Sequence, residues 1–133
     1  MGPRHRWLVF AQGQTPVRVI VVDDSEVYRY ALCAVVSATP GFEVVAVASS
    51  GREALDLVAS ADVQLVLLDV QMPELDGIET ARRIRRRYPD VVVLLLTADS
   101  WTPTDDASPT IEDKGELSPG WLTDFWLRHD PSR

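Results

Sequence analysis

Val63-Gln-Leu-Val-Leu-Leu-Asp69-Val-Gln-Met-Pro-Glu-Leu-Asp-Gly77 is the stretch on which the fold turns. The apolar residues up to Leu68 do not alternate with polar ones, so the segment is predicted to be a strand buried on both faces, as in a parallel sheet. It stops at an acid, Asp69. A helical period then takes over from Leu75 to Tyr88, with Ile78, Ala81, Ile84 and Tyr88 on one face, and ends before Pro89. Upstream the same unit occurs twice. Val17 to Val22, β-branched apart from Arg18, ends at Asp23-Asp24; Ser25 then caps a helix from Glu26 to Ala38 with an apolar stripe of Val27, Ala31, Leu32, Val35 and Val36. Pro40-Gly41 breaks that helix, Phe42 to Ala48 is a second strand, and Ser50-Gly51 opens a helix carrying Ala54, Leu55 and Val58. Val91 to Leu96 is a fourth apolar strand, ending at Thr97. Strands alternating with helices over short connections predict an α/β fold, a doubly wound parallel sheet with right-handed crossovers.

Beyond Thr97 the pattern weakens. Residues 99–108 are polar, Pro103 and Pro109 interrupt them, and only 16 residues separate Thr97 from Lys114. A helix, two loops and a strand of ordinary length need about 20 or more. The fourth helix is therefore expected to be short or missing, and the strand after it degenerate. Ser118-Pro119 restarts a helix with Trp121, Leu122, Phe125 and Trp126 on its apolar face and Arg128 and His129 at its end.

The bulk numbers narrow the partners. The chain has 133 residues, 46% hydrophobic and 25% charged, with a net charge of −7. That suits one globular domain and favours neither nucleic acid nor an anionic membrane. Cys33 has no second cysteine to pair with and reads as a buried thiol in a reducing cytoplasm. Residues 1–15 read as a disordered basic tail, since Trp7 to Ala11 is too short an apolar run for a signal peptide. Twelve arginines accompany a single lysine, Lys114.

In an open parallel sheet, functional groups gather at the carboxyl ends of the strands. Here that edge presents Asp23, Asp24, Asp69 and Thr97. Carboxylates brought this close repel one another, and a hard divalent cation such as magnesium relieves the repulsion. An acidic cluster with an open coordination position can receive a phosphoryl group.

Val21-Val22-Asp23-Asp24-Ser25, Asp69-x-x-Met72-Pro73-x-x-Asp76-Gly77 and Thr97-Ala98 resemble the response-regulator receiver domains of two-component signalling. The texture of Gly41 to Val45 and of Ile78-Glu79 is most similar to receivers of the group that carries a helix-turn-helix output (NarL/FixJ type). The resemblance implies a flavodoxin-like five-stranded sheet over residues 16–128, with residues 98–113 atypical and 129–133 a C-terminal tail. It implies that Asp69 accepts a phosphoryl group, that Asp23, Asp24, Asp69 and the main-chain carbonyl of Gln71 hold Mg2+, and that Thr97 and Lys114 contact the phosphoryl group. The implied partner is a sensor histidine kinase or phosphotransfer protein in the cytoplasm, with no nucleic acid, no membrane, and room for a weak homodimer. A receiver catalyses only its own phosphorylation and dephosphorylation, so it is not counted as an enzyme. Since six residues follow Leu127, a stand-alone receiver is expected.

Two features depart from the pattern. The family usually has an aromatic three residues before the lysine, where this chain has Ile111, and the strand before Lys114 should be apolar but reads Thr110-Ile-Glu-Asp113. A degenerate receiver, binding partners without phosphorylation, is the alternative. An aspartyl-nucleophile phosphatase of the haloacid-dehalogenase type wants a second Asp at position 71, where Gln71 stands. Flavin or nucleotide binding lacks a glycine-rich loop. The arginines at 82, 83, 85, 86 and 87 read as a solvated helix face.

Overall fold

The computed structural model describes residues 15–97 and 111–131. The expectations for the N-terminal tail and for the shortened fourth helix fall on residues outside these. β1 (Val17–Val22), β2 (Phe42–Ala48), β3 (Leu65–Asp69), β4 (Val92–Thr97) and β5 (Ile111–Asp113) form one five-stranded sheet in the order β2-β1-β3-β4-β5. All four pairings are parallel. α1 (Glu26–Ser37), α2 (Gly51–Ser60) and α3 (Gly77–Arg87) follow the first three strands. A 3-10 turn (Lys114–Glu116) and α4 (Pro119–His129) follow β5.

The unbroken apolar strands resolve into two interleaved sets. Val19, Val21, Leu65, Leu67, Leu94 and Leu96 face one core with Leu32 and Val36 of α1 and Leu122, Phe125 and Trp126 of α4. Ile20, Val22, Val66, Leu68, Val93 and Leu95 face the other with Ala54 and Val58 of α2 and Ala81 and Ile84 of α3. A strand with helices on both sides needs apolar residues at every position, which is why no alternation is visible in the sequence. Each fully buried Leu or Ile contributes roughly 1.5–3 kcal/mol of transfer free energy to this arrangement.

Among the described residues, serine or aspartate caps each α-helix at its start. Ser25, Ser50, Asp76 and Ser118 accept from the backbone N–H groups of Tyr28, Glu53, Glu79 and Trp121. Differences from the expected boundaries are small: α3 begins at Gly77 rather than Leu75, and α4 runs through His129, one residue into the expected tail. The stripe assigned to α1 needs correction. Val27 is 77% exposed and Ala31 is also exposed, so only its lower half, Leu32 to Val36, meets the core. Cys33 is half-buried rather than fully buried, and that partial burial pushes its thiol above the usual range, against the pull of Arg29. β5 is three residues long, as its degenerate sequence implies.

Candidate functional site

Parallel strand order puts the carboxyl ends of β1, β3 and β4 side by side. β3 pairs with both of the others, with Leu68 opposite Val22 and Asp69 opposite Leu96. Asp23 and Asp24 therefore come off β1 beside Asp69 on β3, and Thr97 lies one residue further along β4. Asp23, Asp69 and Thr97 are buried and Asp24 is exposed. One carboxylate oxygen from each of the three aspartates lies within 4.8 Å of the others.

The two buried acids are held by local structure. Asp23 accepts from the Ser25 N–H at 2.9 Å, and its own carbonyl accepts from the Arg29 guanidinium at 2.7 Å. Asp69 accepts from the N–H of Gln71 at 3.3 Å. Gly77 lets α3 start directly against this turn: a Cβ there would stand 2.1 Å from the Asp69 carbonyl oxygen and 2.8 Å from the Val70 Cα. Only glycine allows that approach. Met72 is buried beneath the loop and Glu74 takes a positive φ of 65°.

Lys114 reaches the same place from the far side of the sheet. Its Nζ donates to Asp23 at 2.6 Å and lies 3.4 Å from Asp69. Its side chain is 6% exposed, and its ammonium sits 4.0 Å from the centre of the Tyr28 ring. Lys114 comes from the 3-10 turn just after β5 rather than from the strand itself. A short β5 is still long enough to deliver it.

The electrostatics follow from burial. Loss of water pushes the Asp69 carboxyl from 3.8 up to about 6, and the charge of Asp23 adds to the push. Lys114 and the Gln71 N–H pull in the opposite direction without cancelling it. Burial, a second acid and a lysine around one carboxyl at a sheet edge make this the candidate reactive site of the fold. The carboxylate donors suit magnesium: oxygens at about 2.0–2.1 Å around an octahedral ion are separated by no more than about 4.2 Å, so a small contraction of the cluster would close it.

The sequence pattern of the response regulator receiver domain matches residues 19–110. The chain belongs to the response regulator receiver domain family. It is 33% identical over 84 residues to the transcriptional regulatory protein DegU of Brevibacillus brevis, covering 63% of this chain and 36% of that protein. It is 42% identical over 97 residues to protein-glutamate methylesterase/protein-glutamine glutaminase 2 of Anaeromyxobacter dehalogenans, covering 73% of this chain and 27% of that one. Among solved structures it is similar to the response regulator TrrA of Thermotoga maritima in complex with Mg(2+)-BeF, with a TM-score of 0.71 and 30% identity over 84% of this chain and 96% of that one. The chain thus spans about a third or less of each of these two curated relatives.

Of the residues singled out from the sequence, Asp23, Asp24, Asp69 and Lys114 converge, and Gln71 and Thr97 border them. Ala98 lies outside the described residues. Two contributors were missed, Tyr28 and Arg29. They stand three and four residues after the Ser25 cap, on the first turn of α1, where the Tyr28 ring lies under the Lys114 ammonium and Arg29 donates to the Asp23 carbonyl; the cap marks where the turn begins but not which way it faces. No helix among the described residues is long and apolar enough to cross a membrane.

Proposed function

We propose that this receiver accepts a phosphoryl group on Asp69 from a sensor histidine kinase or phosphotransfer protein in the cytoplasm, with Mg2+ held by Asp23, Asp24, Asp69 and the carbonyl of Gln71. The observation that carries the reading is the Asp69 carboxylate, set between a second acid and the lysine ammonium at 3.4 Å. A carboxylate oxygen of Asp69 attacks phosphorus as the phosphorus–nitrogen bond of a phosphohistidine breaks, and the imidazole leaves with the electron pair. Water later cleaves the acyl phosphate, returning the carboxylate and inorganic phosphate. The metal, when bound, offsets negative charge on the phosphoryl oxygens. Lys114 offers its ammonium to a phosphoryl oxygen, and Thr97 offers its hydroxyl from β4. Elevation of the Asp69 pKa keeps the carboxylate basic, hence a better nucleophile once ionised.

The face beside the pocket suits such a partner. Val27, Tyr28 and Tyr30 of α1 are exposed, and Tyr28, Ala31, Leu32 and Val35 line a groove with Gly115 and Leu117. Exposed apolar area of this kind next to a reacting group fits a helix that presents a phosphohistidine.

Incubation with magnesium and acetyl phosphate, followed by intact mass, tests the proposal. Wild type gains the mass of one phosphoryl group and Asp69→Asn gains none. Equal gain in both would place the acceptor elsewhere. No gain in either would leave the phosphorylation-independent module as the better reading.

A further inference from the structure

Five of the chain's 13 basic side chains fall between residues 82 and 87, in a molecule of net charge −7. They sit on α3, whose buried face is Gly77, Thr80, Ala81 and Ile84. Arg83 pairs with Glu79 at 3.0 Å and Arg82 approaches the same acid at 3.8 Å. Arg85, Arg86 and Arg87 are exposed and make no ion pair among the described residues. Three of the five share an open groove of about 420 Å³ with Pro89 and Val91. The groove lies on the flank of α3 turned away from α2, since Thr80 on the other flank faces Gly51 of α2. It is well separated in the fold from the acids at the carboxyl edge of the sheet, because Pro89 and Val91 precede β4 whereas Thr97 ends it.

We infer that this groove is a docking site for an acidic, partly apolar peptide segment of a partner protein. Like charges at i, i+3 and i+4 on one helix face repel one another and weaken the helix. A bound run of carboxylates converts that repulsion into charge-assisted pairs, and guanidinium forks engage carboxylates two bonds at a time. Pro89 and Val91 add an apolar floor that accepts aliphatic side chains between the acids. A phosphodiester backbone has nothing to place on that floor. The net negative charge of the whole chain also repels an extended polyanion while leaving a short peptide to feel the local arginines.

Fluorescence anisotropy with a dye-labelled peptide of alternating Glu and Leu measures the affinity of the full chain at low salt. The matching Gln/Leu peptide and a short DNA duplex are the comparison probes. The Glu/Leu peptide binds, binding weakens as salt is raised, and the Gln/Leu peptide binds at least about tenfold more weakly. Arg85→Glu with Arg86→Glu lowers affinity at least about tenfold. Arg85→Gln with Arg86→Gln lowers it in the same direction and guards against misfolding of the first variant, checked by circular dichroism. Arg52→Gln, at an exposed position of α2, leaves it unchanged. No binding, equal binding of the Gln/Leu peptide, no loss in either folded double variant, or tighter binding of DNA would overturn the inference.

Discussion

Asp69 is held against its own ionisation. Its folded pKa of about 6 lies above the ordinary 3.8, with burial the main cause. The native state therefore binds a proton more tightly than the unfolded chain. The stability this confers is complete below about pH 4 and is lost as pH rises through about 6. Metal-free wild type is expected to be less stable at pH 7.5 than at pH 5 through this group, by on the order of 1 kcal/mol after allowance for water at the open side of the pocket. Asp69→Asn removes that part of the pH dependence and raises stability at pH 7.5, and urea unfolding of both proteins at the two pH values checks it. Lys114 acts in the opposite sense. Lys114→Met leaves buried Asp23 without its 2.6 Å partner, and unpaired buried charges cost about 3–5 kcal/mol. A clear fall in the urea midpoint at pH 7.5 is the expected result, and an unchanged midpoint would show that other groups neutralise Asp23. The three aspartates and the lysine were legible because strand ends are punctuated by residue type. Tyr28 and Arg29 were not, because their contribution depends on the phase of α1 relative to the sheet edge.

At the scale of elements, the start of α3 is where sequence and geometry bind each other most tightly. Gly77→Ala puts a methyl group 2.1 Å from a backbone oxygen that belongs to Asp69 itself. Backbone cannot step aside as a flexible side chain does, so the loop carrying Asp69 must shift. A loss of about 2–3 kcal/mol is expected, together with slower phosphorylation from acetyl phosphate. Gly120→Ala is the matching control. Nothing lies within 4 Å of a Cβ there, in the first turn of α4, so better helix propensity should raise stability by up to about 1 kcal/mol. Thermal melts of the two variants give opposite signs if this reading of the two glycines is right. The strands and helices were readable because β-runs, serine or aspartate caps and Pro or Gly stops agree with one another along the chain. The upper half of α1 misled, since Val27 and Ala31 continue an apolar period past the point where the sheet stops covering it. A short periodic segment does not reveal where its neighbour ends. The register shift opposite Val19 and Ile20, where Val45 is the extra residue on β2, left no mark in the sequence either, because Val45 continues the apolar run of that strand.

For the whole molecule, the acidic edge sets how stability responds to metal. Without a divalent ion, the repulsion among Asp23, Asp24 and Asp69 is offset by Lys114, which the short β5 brings across the sheet edge. A cation that binds the native cluster, and not the unfolded chain where the three acids are far apart, stabilises by mass action. Magnesium at about ten times its dissociation constant should add about 1.4 kcal/mol, which for a domain of this size raises the melting midpoint by several degrees, roughly 3–6 °C. Lys114 competes for the same oxygens, so the gain is the difference between two counter-ions rather than the full worth of either. Asp24 is the acid to test. It is exposed and makes no ion pair among the described residues, so Asp24→Asn removes the proposed ligand without opening the core. That variant should melt no lower than wild type in the absence of magnesium, because it relieves repulsion, and should lose most of the magnesium-dependent rise. Calcium, with longer bonds and looser geometry, should give a smaller rise than magnesium in the wild type. If Asp24→Asn retains the full response, the ion is held without it, and the assignment of that carboxylate as a ligand falls.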